Sequence, residues 1–115
     1  MKITEFLKEN TLLLDGGMGT LLQAEGLGAG ELPERRNLTH PRQITAIDSA
    51  YLQAGARVIS TNTFGANSLK FSDDELGEII SAAVANARAA TRAIGGEERW
   101  VGIDLVLHSF LFFLF

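Results

Sequence analysis

The chain predicts an α/β fold built on a parallel sheet, and three observations point there. Two apolar runs, Leu12 to Leu14 and Val58-Ile59, each give way to glycine and polar residues, as buried strands do where they run out into loops. Two helical patterns, one starting at Pro41 and one after Ser72, separate these runs from each other and from a third apolar stretch, Trp100 to Leu105. The resulting order of strand, helix, strand, helix, strand is that of parallel strands joined by right-handed crossovers. Periodicity alone leaves open whether the sheet is doubly wound or part of a (β/α)8 barrel.

Taken in order, Ile3, Phe6 and Leu7 make a short amphipathic turn or helix ahead of the first strand. Leu12 to Leu14, bounded by Asp15-Gly16-Gly17, fits a strand buried on both faces and then a turn. Met18 to Ala24 predicts a brief helix, and the stretch from Gly26 to Arg36, with three glycines and Pro33, a loop. The next helix is strongly marked, with Pro41 at its first position, Thr39 or His40 as cap and Gly55 as its stop. Ile44, Ile47, Tyr51 and Ala54 fall on one face of it. Residues 57–61 form the second strand. Ser72 with Glu75 makes a capping box, and the following helix carries an apolar stripe of Leu76, Ile79, Ile80, Ala83, Val84, Ala87, Ala90 and Ile94 before Gly95-Gly96 ends it.

With 115 residues, 46% of them hydrophobic and 21% charged, the chain is sized for one ordered domain. A net charge of −4, with no basic cluster beyond Arg35-Arg36, argues against a nucleic-acid partner. The chain has no cysteine, so it forms no disulfide. Met1 to Asn10 mixes charged and apolar residues without the apolar core of a signal peptide, which makes the cytoplasm the expected location. Asn37-Leu38-Thr39 matches a glycosylation sequon, read as chance without an export signal. The run from Leu105 to Phe115 is strongly apolar but shorter than the roughly 20 residues that span a bilayer, so no membrane partner is expected. Uncharged and rich in strand-favouring residues, it is an aggregation hazard where exposed.

Two places offer chemistry. Asp15 follows three leucines, which sets a carboxylate at a strand's end to hold a cationic group such as an α-amino group. Gly16 and Gly17 let the backbone come close to a ligand, and the successive N–H groups there suit a carboxylate. A purely structural role competes evenly, with Asp15 capping the helix at Met18 and the glycines serving the turn. Thr61-Asn62-Thr63-Phe64-Gly65 is the second place, either lining the mouth of the sheet or securing its own loop by hydrogen bonds. Other motifs fail on spacing. No Gly-x-x-x-x-Gly-Lys-Ser/Thr loop is present, and Gly16-Gly17-Met18-Gly19 lacks the order of a dinucleotide fingerprint. His40 precedes a helix-starting proline and His108 lies in the apolar run, so neither is expected to bind metal.

These stretches resemble the homocysteine S-methyltransferase family, which includes the homocysteine-binding module of cobalamin-dependent methionine synthase. Asp15-Gly16-Gly17-Met18-Gly19-Thr20 is similar to the methionine synthase branch. Glu34 and Asn37 ahead of Pro41 resemble the loop leading into the first barrel helix. Tyr51, Ala54-Gly55-Ala56, Val58-Ile59 and Thr61-Asn62-Thr63-Phe64-Gly65-Ala66 resemble the helix-to-strand passage that follows. The likeness covers roughly Leu12 to Asp104.

The resemblance implies a (β/α)8 barrel that binds homocysteine at the carboxyl ends of its strands. It also implies a zinc ion, held by three cysteine thiolates, that turns the substrate thiol into a nucleophilic thiolate. The methyl group comes from methylcobalamin, betaine or S-methylmethionine according to branch. Position by position, Asp15 would pair with the homocysteine amino group and the backbone at Gly16, Gly17 and Met18 would meet its carboxylate. Thr61, Asn62, Thr63 and Phe64 would shape the adjoining wall.

Two departures set limits. The chain has no cysteine for the zinc, and 115 residues are under half of a barrel of about 250. Where the family's third strand continues into Gly-Pro-Thr-Gly, Asp104-Leu105 runs into Val-Leu-His-Ser-Phe, as a change of reading frame would produce. The expectation is therefore an incomplete barrel, with residues 1–105 its N-terminal βα units and residues 106–115 an apolar tail unlike the family. Such a chain is inactive alone, its open edges favouring self-association. Two alternatives stand beside it: a non-catalytic half-barrel completed by a separate chain, and a small flavodoxin-like binding module.

Overall fold

A computed structural model describes residues 1–96 and 98–105 of the chain. Its elements in order are α1 (Ile3–Phe6), α2 (Gly19–Ala24), a 3-10 turn (Pro33–Arg35), α3 (Arg36–Thr39), α4 (Pro41–Gln53), β1 (Val58–Ser60), α5 (Asp73–Ile94) and β2 (Trp100–Gly102). β1 and β2 pair in parallel with Val58 opposite Trp100, Ile59 opposite Val101 and Ser60 opposite Gly102. The 22-residue helix α5 makes the crossover between them.

The helices form where their signals stand. Pro41 opens α4, His40 holds the cap position without a side-chain bond to the helix, and Gly55 at φ +114° takes the left-handed conformation that stops it. Ser72 caps α5 by accepting the Glu75 N–H at 3.3 Å, and three acidic residues complement the helix dipole in its first turn. Of the apolar face expected on α4, Ile44 and Ile47 are buried and Tyr51 is half-buried, while Ala54 is exposed. On α5 the buried members of the stripe are Ile79, Ala83, Ala87 and Ala90. Small side chains there let the helix lie close against its neighbours. Leu52, Ala56, Ile59, Ala87 and Ala90 form one core cluster, closed by Tyr51, Ile94 and Val101. A second unites Leu22, Leu27, Ile44 and Ile47, with Met18 and Tyr51 packed on it. Fully burying a Leu or Ile side chain contributes about 1.5–3 kcal/mol, so Leu22, Ile44, Ile59 and Ile79 anchor the fold. At the start of the strands, Phe6 of α1 meets Trp100 edge-on, with ring centroids 5.4 Å apart.

Three expectations are corrected. Leu12 to Leu14 does not form a strand buried on both faces. It contributes one parallel bridge, Leu14 to Val58, and leaves Leu13 and Leu14 55% and 64% exposed. The cause is position, since β1 is the only described strand beside it and its other edge is open. The stretch from Gly26 to Arg36 is not all loop, because Pro33 opens a 3-10 turn that runs directly into α3. The third strand stops at Gly102 rather than Leu105, because Asp104 turns back to bond the loop after β1. The apolar tail assigned to residues 106–115 lies outside the described residues.

Candidate functional site

Asp15 follows Leu14 at the open end of the sheet, where its backbone N–H still bonds Val58 O at 3.0 Å. Its carboxylate is held by one neighbour. Ser60, the last residue of β1, donates its N–H to Oδ2 at 2.9 Å and its hydroxyl to Oδ1 at 3.1 Å. The structural alternative, Asp15 as cap of α2, is not what forms, since Met18 holds the cap position and α2 has no side-chain cap. The turn that follows is shaped by Tyr51 of α4, whose hydroxyl donates to Gly17 O at 2.6 Å. That approach requires glycine at position 16, where a Cβ would come within 2.8 Å of the Tyr51 hydroxyl.

The loop after β1 is stitched on both sides. Thr61 takes the Asp104 N–H at 3.2 Å and shares a 2.7 Å contact with the Thr63 hydroxyl, which donates to Asp104 O at 2.6 Å. On the other side, buried Asn37 donates to Glu34 O at 2.9 Å and Asn62 O at 2.7 Å, and Asn62 donates to Pro33 O at 2.9 Å. Asn86 of α5 closes the network by donating to Asn37 O at 3.1 Å. The Gly65 N–H donates to Glu34 Oε1 at 2.6 Å. A side chain at position 65 would strike Glu34, so glycine is needed there as well.

These loops enclose a cavity of about 270 Å³ lined by residues 15–19, Pro33-Glu34, residues 60–62, Phe64 and Asp104. It gathers Asp15, Gly16, Gly17, Met18, Thr61, Asn62 and Phe64 from the sequence-derived set and leaves out Thr63, whose hydroxyl is spent on Asp104. Beyond Gly19 and Pro33, three lining residues that sequence reasoning did not place in the site are Ser60, Glu34 and Asp104. The first continues the polar run after Val58-Ile59 and could have been included. The other two stand within the family-like stretches, but nothing local shows that they turn inward.

Among the described residues the lining holds three carboxylates and no Lys, Arg or His. Burial raises the Asp15 carboxyl above the usual carboxylate range, the Ser60 hydrogen bonds pull it back, and the Asp104 charge adds to the rise. Behind the site Asp48 of α4 is only 1% exposed, with Oδ1 lacking a hydrogen-bond partner among the described residues. Burial, with the Asp15 charge as a lesser cause, pushes the Asp48 carboxyl up to about 7.

The chain has no cysteine, and among the described residues no three His, Cys, Asp or Glu side chains converge to hold a metal ion. Nor is any described helix long and apolar enough to cross a membrane.

Comparison with known proteins places this geometry in context. The family model for Homocysteine S-methyltransferase matches residues 12–108. The methionine synthase of Mycobacterium tuberculosis is 31% identical over 107 residues, covering 84% of this chain and 9% of the relative. That of Mycobacterium leprae is 33% identical over 84 residues, covering 68% of this chain and 7% of the relative. Among solved structures, the metallated form of the homocysteine methyltransferase MmuM from Escherichia coli superposes with a TM-score of 0.79 over 95% of this chain, at 22% identity. Its oxidized form gives 0.70 over 80% of the chain at 25% identity. The chain spans less than a tenth of the length of the two methionine synthases and 42% of the metallated MmuM chain.

Proposed function

The chain belongs to the homocysteine S-methyltransferase family, and from that premise we propose that its cavity is the amino-acid grip of a homocysteine site. In this reading the Asp15 carboxylate takes the substrate's ammonium. The backbone at Gly16, Gly17 and Met18 meets its carboxylate, and Thr61, Asn62 and Phe64 form the adjoining wall. Thr63 acts indirectly, by securing Thr61 and Asp104. The observation that carries the proposal is the placement of Asp15, fixed by two Ser60 donors at a cavity whose charged lining residues are all acidic.

The reaction of such a site is methyl transfer to the homocysteine thiol, giving methionine. The residues present supply the binding half. The zinc that the resemblance implies does not fit this donor set, which lacks the thiolates that would hold it. The 115-residue chain by itself holds homocysteine without activating its sulfur. Barrel architecture beyond the described strands belongs to the same proposal, as do a cytoplasmic setting and a methyl donor among methylcobalamin, betaine and S-methylmethionine. Family membership sets aside the flavodoxin-like alternative, which required the likeness to be superficial.

Charge-assisted hydrogen bonds contribute about 1.5–3 kcal/mol each, and a dissociation constant of 1 mM corresponds to about 4 kcal/mol. A half-site therefore binds homocysteine in the millimolar range. Calorimetric titration of the purified chain, without zinc, tests this. The expected result is weak saturable binding that Asp15→Asn abolishes, and equal heats for the two proteins would refute it.

One observation favours a second role for the surface. Among the described residues Leu13, Leu14, Ile103 and Leu105 are exposed beside the sheet's two edges, as expected of a half-barrel completed by another chain or by self-association. Sedimentation of the chain across a range of concentrations reads self-association directly.

A further inference from the structure

We infer that Glu34 is a second ligand-binding residue of this site, its free carboxylate oxygen taking the ammonium of the bound amino acid together with Asp15. The inference rests on the homocysteine reading of the cavity and adds to it a residue from a different loop. Glu34 is 3% exposed, yet it lines the cavity. Its two oxygens differ. Oε1 accepts the Gly65 N–H at 2.6 Å, while Oε2 is buried and has no hydrogen-bond partner among the described residues. Leaving a buried carboxylate oxygen without a partner costs more than an average hydrogen bond returns, so this orphaned oxygen, on a residue that lines the cavity, calls for a donor.

The chemistry of that donor follows from the lining. Asp15, Glu34 and Asp104 are the charged residues there, so a ligand group entering among them must be cationic and rich in N–H. An ammonium has three donors, enough to engage both Asp15 and Glu34. Asp15 offers the lone pairs that Ser60 leaves open, and Glu34 offers Oε2 whole. The Gly65 bond fixes the orientation of the Glu34 carboxylate, and the Asn37 and Asn62 bonds fix the backbone that carries it. A rival cation is Lys70, whose Nζ lies beside Gly65. Lys70 is exposed, though, and does not line the cavity.

The Gly65 amide, bonded to the Glu34 carboxylate, is the reporter, read by proton–nitrogen NMR on the full chain. L-homocysteine should shift it, and 4-mercaptobutanoate, which lacks the ammonium, should not. Glu34→Gln keeps an acceptor for Gly65 but sets an amide N–H₂ in place of Oε2. It should weaken L-homocysteine by about tenfold or more while leaving 4-mercaptobutanoate unchanged. Should the variant fail to fold, the wild-type amide shifts decide alone. If Asp15→Asn loses L-homocysteine while Glu34→Gln and the Gly65 amide stay unaffected, the role of Glu34 is overturned and the Asp15 grip stands. If Lys70→Met moves the Gly65 amide without ligand and L-homocysteine adds no further shift, Glu34 belongs to Lys70 and the inference fails. No binding of L-homocysteine to the wild-type chain would overturn both assignments.

Discussion

Ser60 donates to both oxygens of Asp15, its N–H to one at 2.9 Å and its hydroxyl to the other at 3.1 Å. The end of β1 thus orients the carboxylate at the end of the preceding strand segment. Ser60→Ala keeps the backbone donor and removes the hydroxyl. It should destabilise the chain by about 1 kcal/mol in urea unfolding and weaken homocysteine several-fold, less than Asp15→Asn does.

Asp48 makes stability depend on pH. Its unfolded pKa is about 3.9 and its folded value about 7, so the folded chain holds an extra proton between those limits. The stability this proton provides is full below about pH 4 and is lost as pH rises through about 7. Asp48→Asn removes the dependence. The variant's unfolding free energy should exceed that of the wild type at pH 7.5, by up to a few kcal/mol, and the advantage should disappear at pH 4. A variant that follows the wild-type pH profile would show that Asp48 is not buried as described.

Gly16 and Tyr51 should behave as a coupled pair. Gly16→Ala forces a methyl group against the Tyr51 ring and hydroxyl, at a cost of about 1–3 kcal/mol. Tyr51→Phe frees the Gly17 carbonyl and costs about 1 kcal/mol. Made together, they should cost less than the sum, because Tyr51→Phe removes the atom nearest the new methyl. Strict additivity in a double-mutant cycle would contradict the packing.

Asn37 holds the two loops together, so Asn37→Ala takes a side-chain donor from the carbonyls of both Glu34 and Asn62. The expected loss is roughly 2 kcal/mol or more in stability. Amide exchange should rise at Gly65, which donates to Glu34 in the adjoining loop.

What the sequence makes legible is local. Pro41 and Gly55 bound α4, Ser72 and Gly95 bound α5, and the Asp15 and Thr61 stretches do meet at one cavity, because each signal acts within a few residues of itself. Exposure at Leu13 and Leu14 is not legible, since an apolar run is the same whether or not a neighbouring strand is there to cover it. The burial of Glu34 and Asp48 is not legible either, one standing in a loop with Glu31 and Arg35 and the other on α4 between Ile47 and Ser49. Their burial comes from contacts between distant segments, as in the bond from Gly65 to Glu34. Thr63 illustrates the converse, a polar residue in the right stretch whose hydroxyl the Asp104 backbone claims.

A crystal structure of the chain grown with L-homocysteine would examine the central claim most directly. The predicted result places the ligand's ammonium within about 3.2 Å of the Asp15 carboxylate, inside the cavity shared by residues 15–19 and 60–62. Homocysteine bound elsewhere, or bound there with its sulfur toward Asp15, would contradict it.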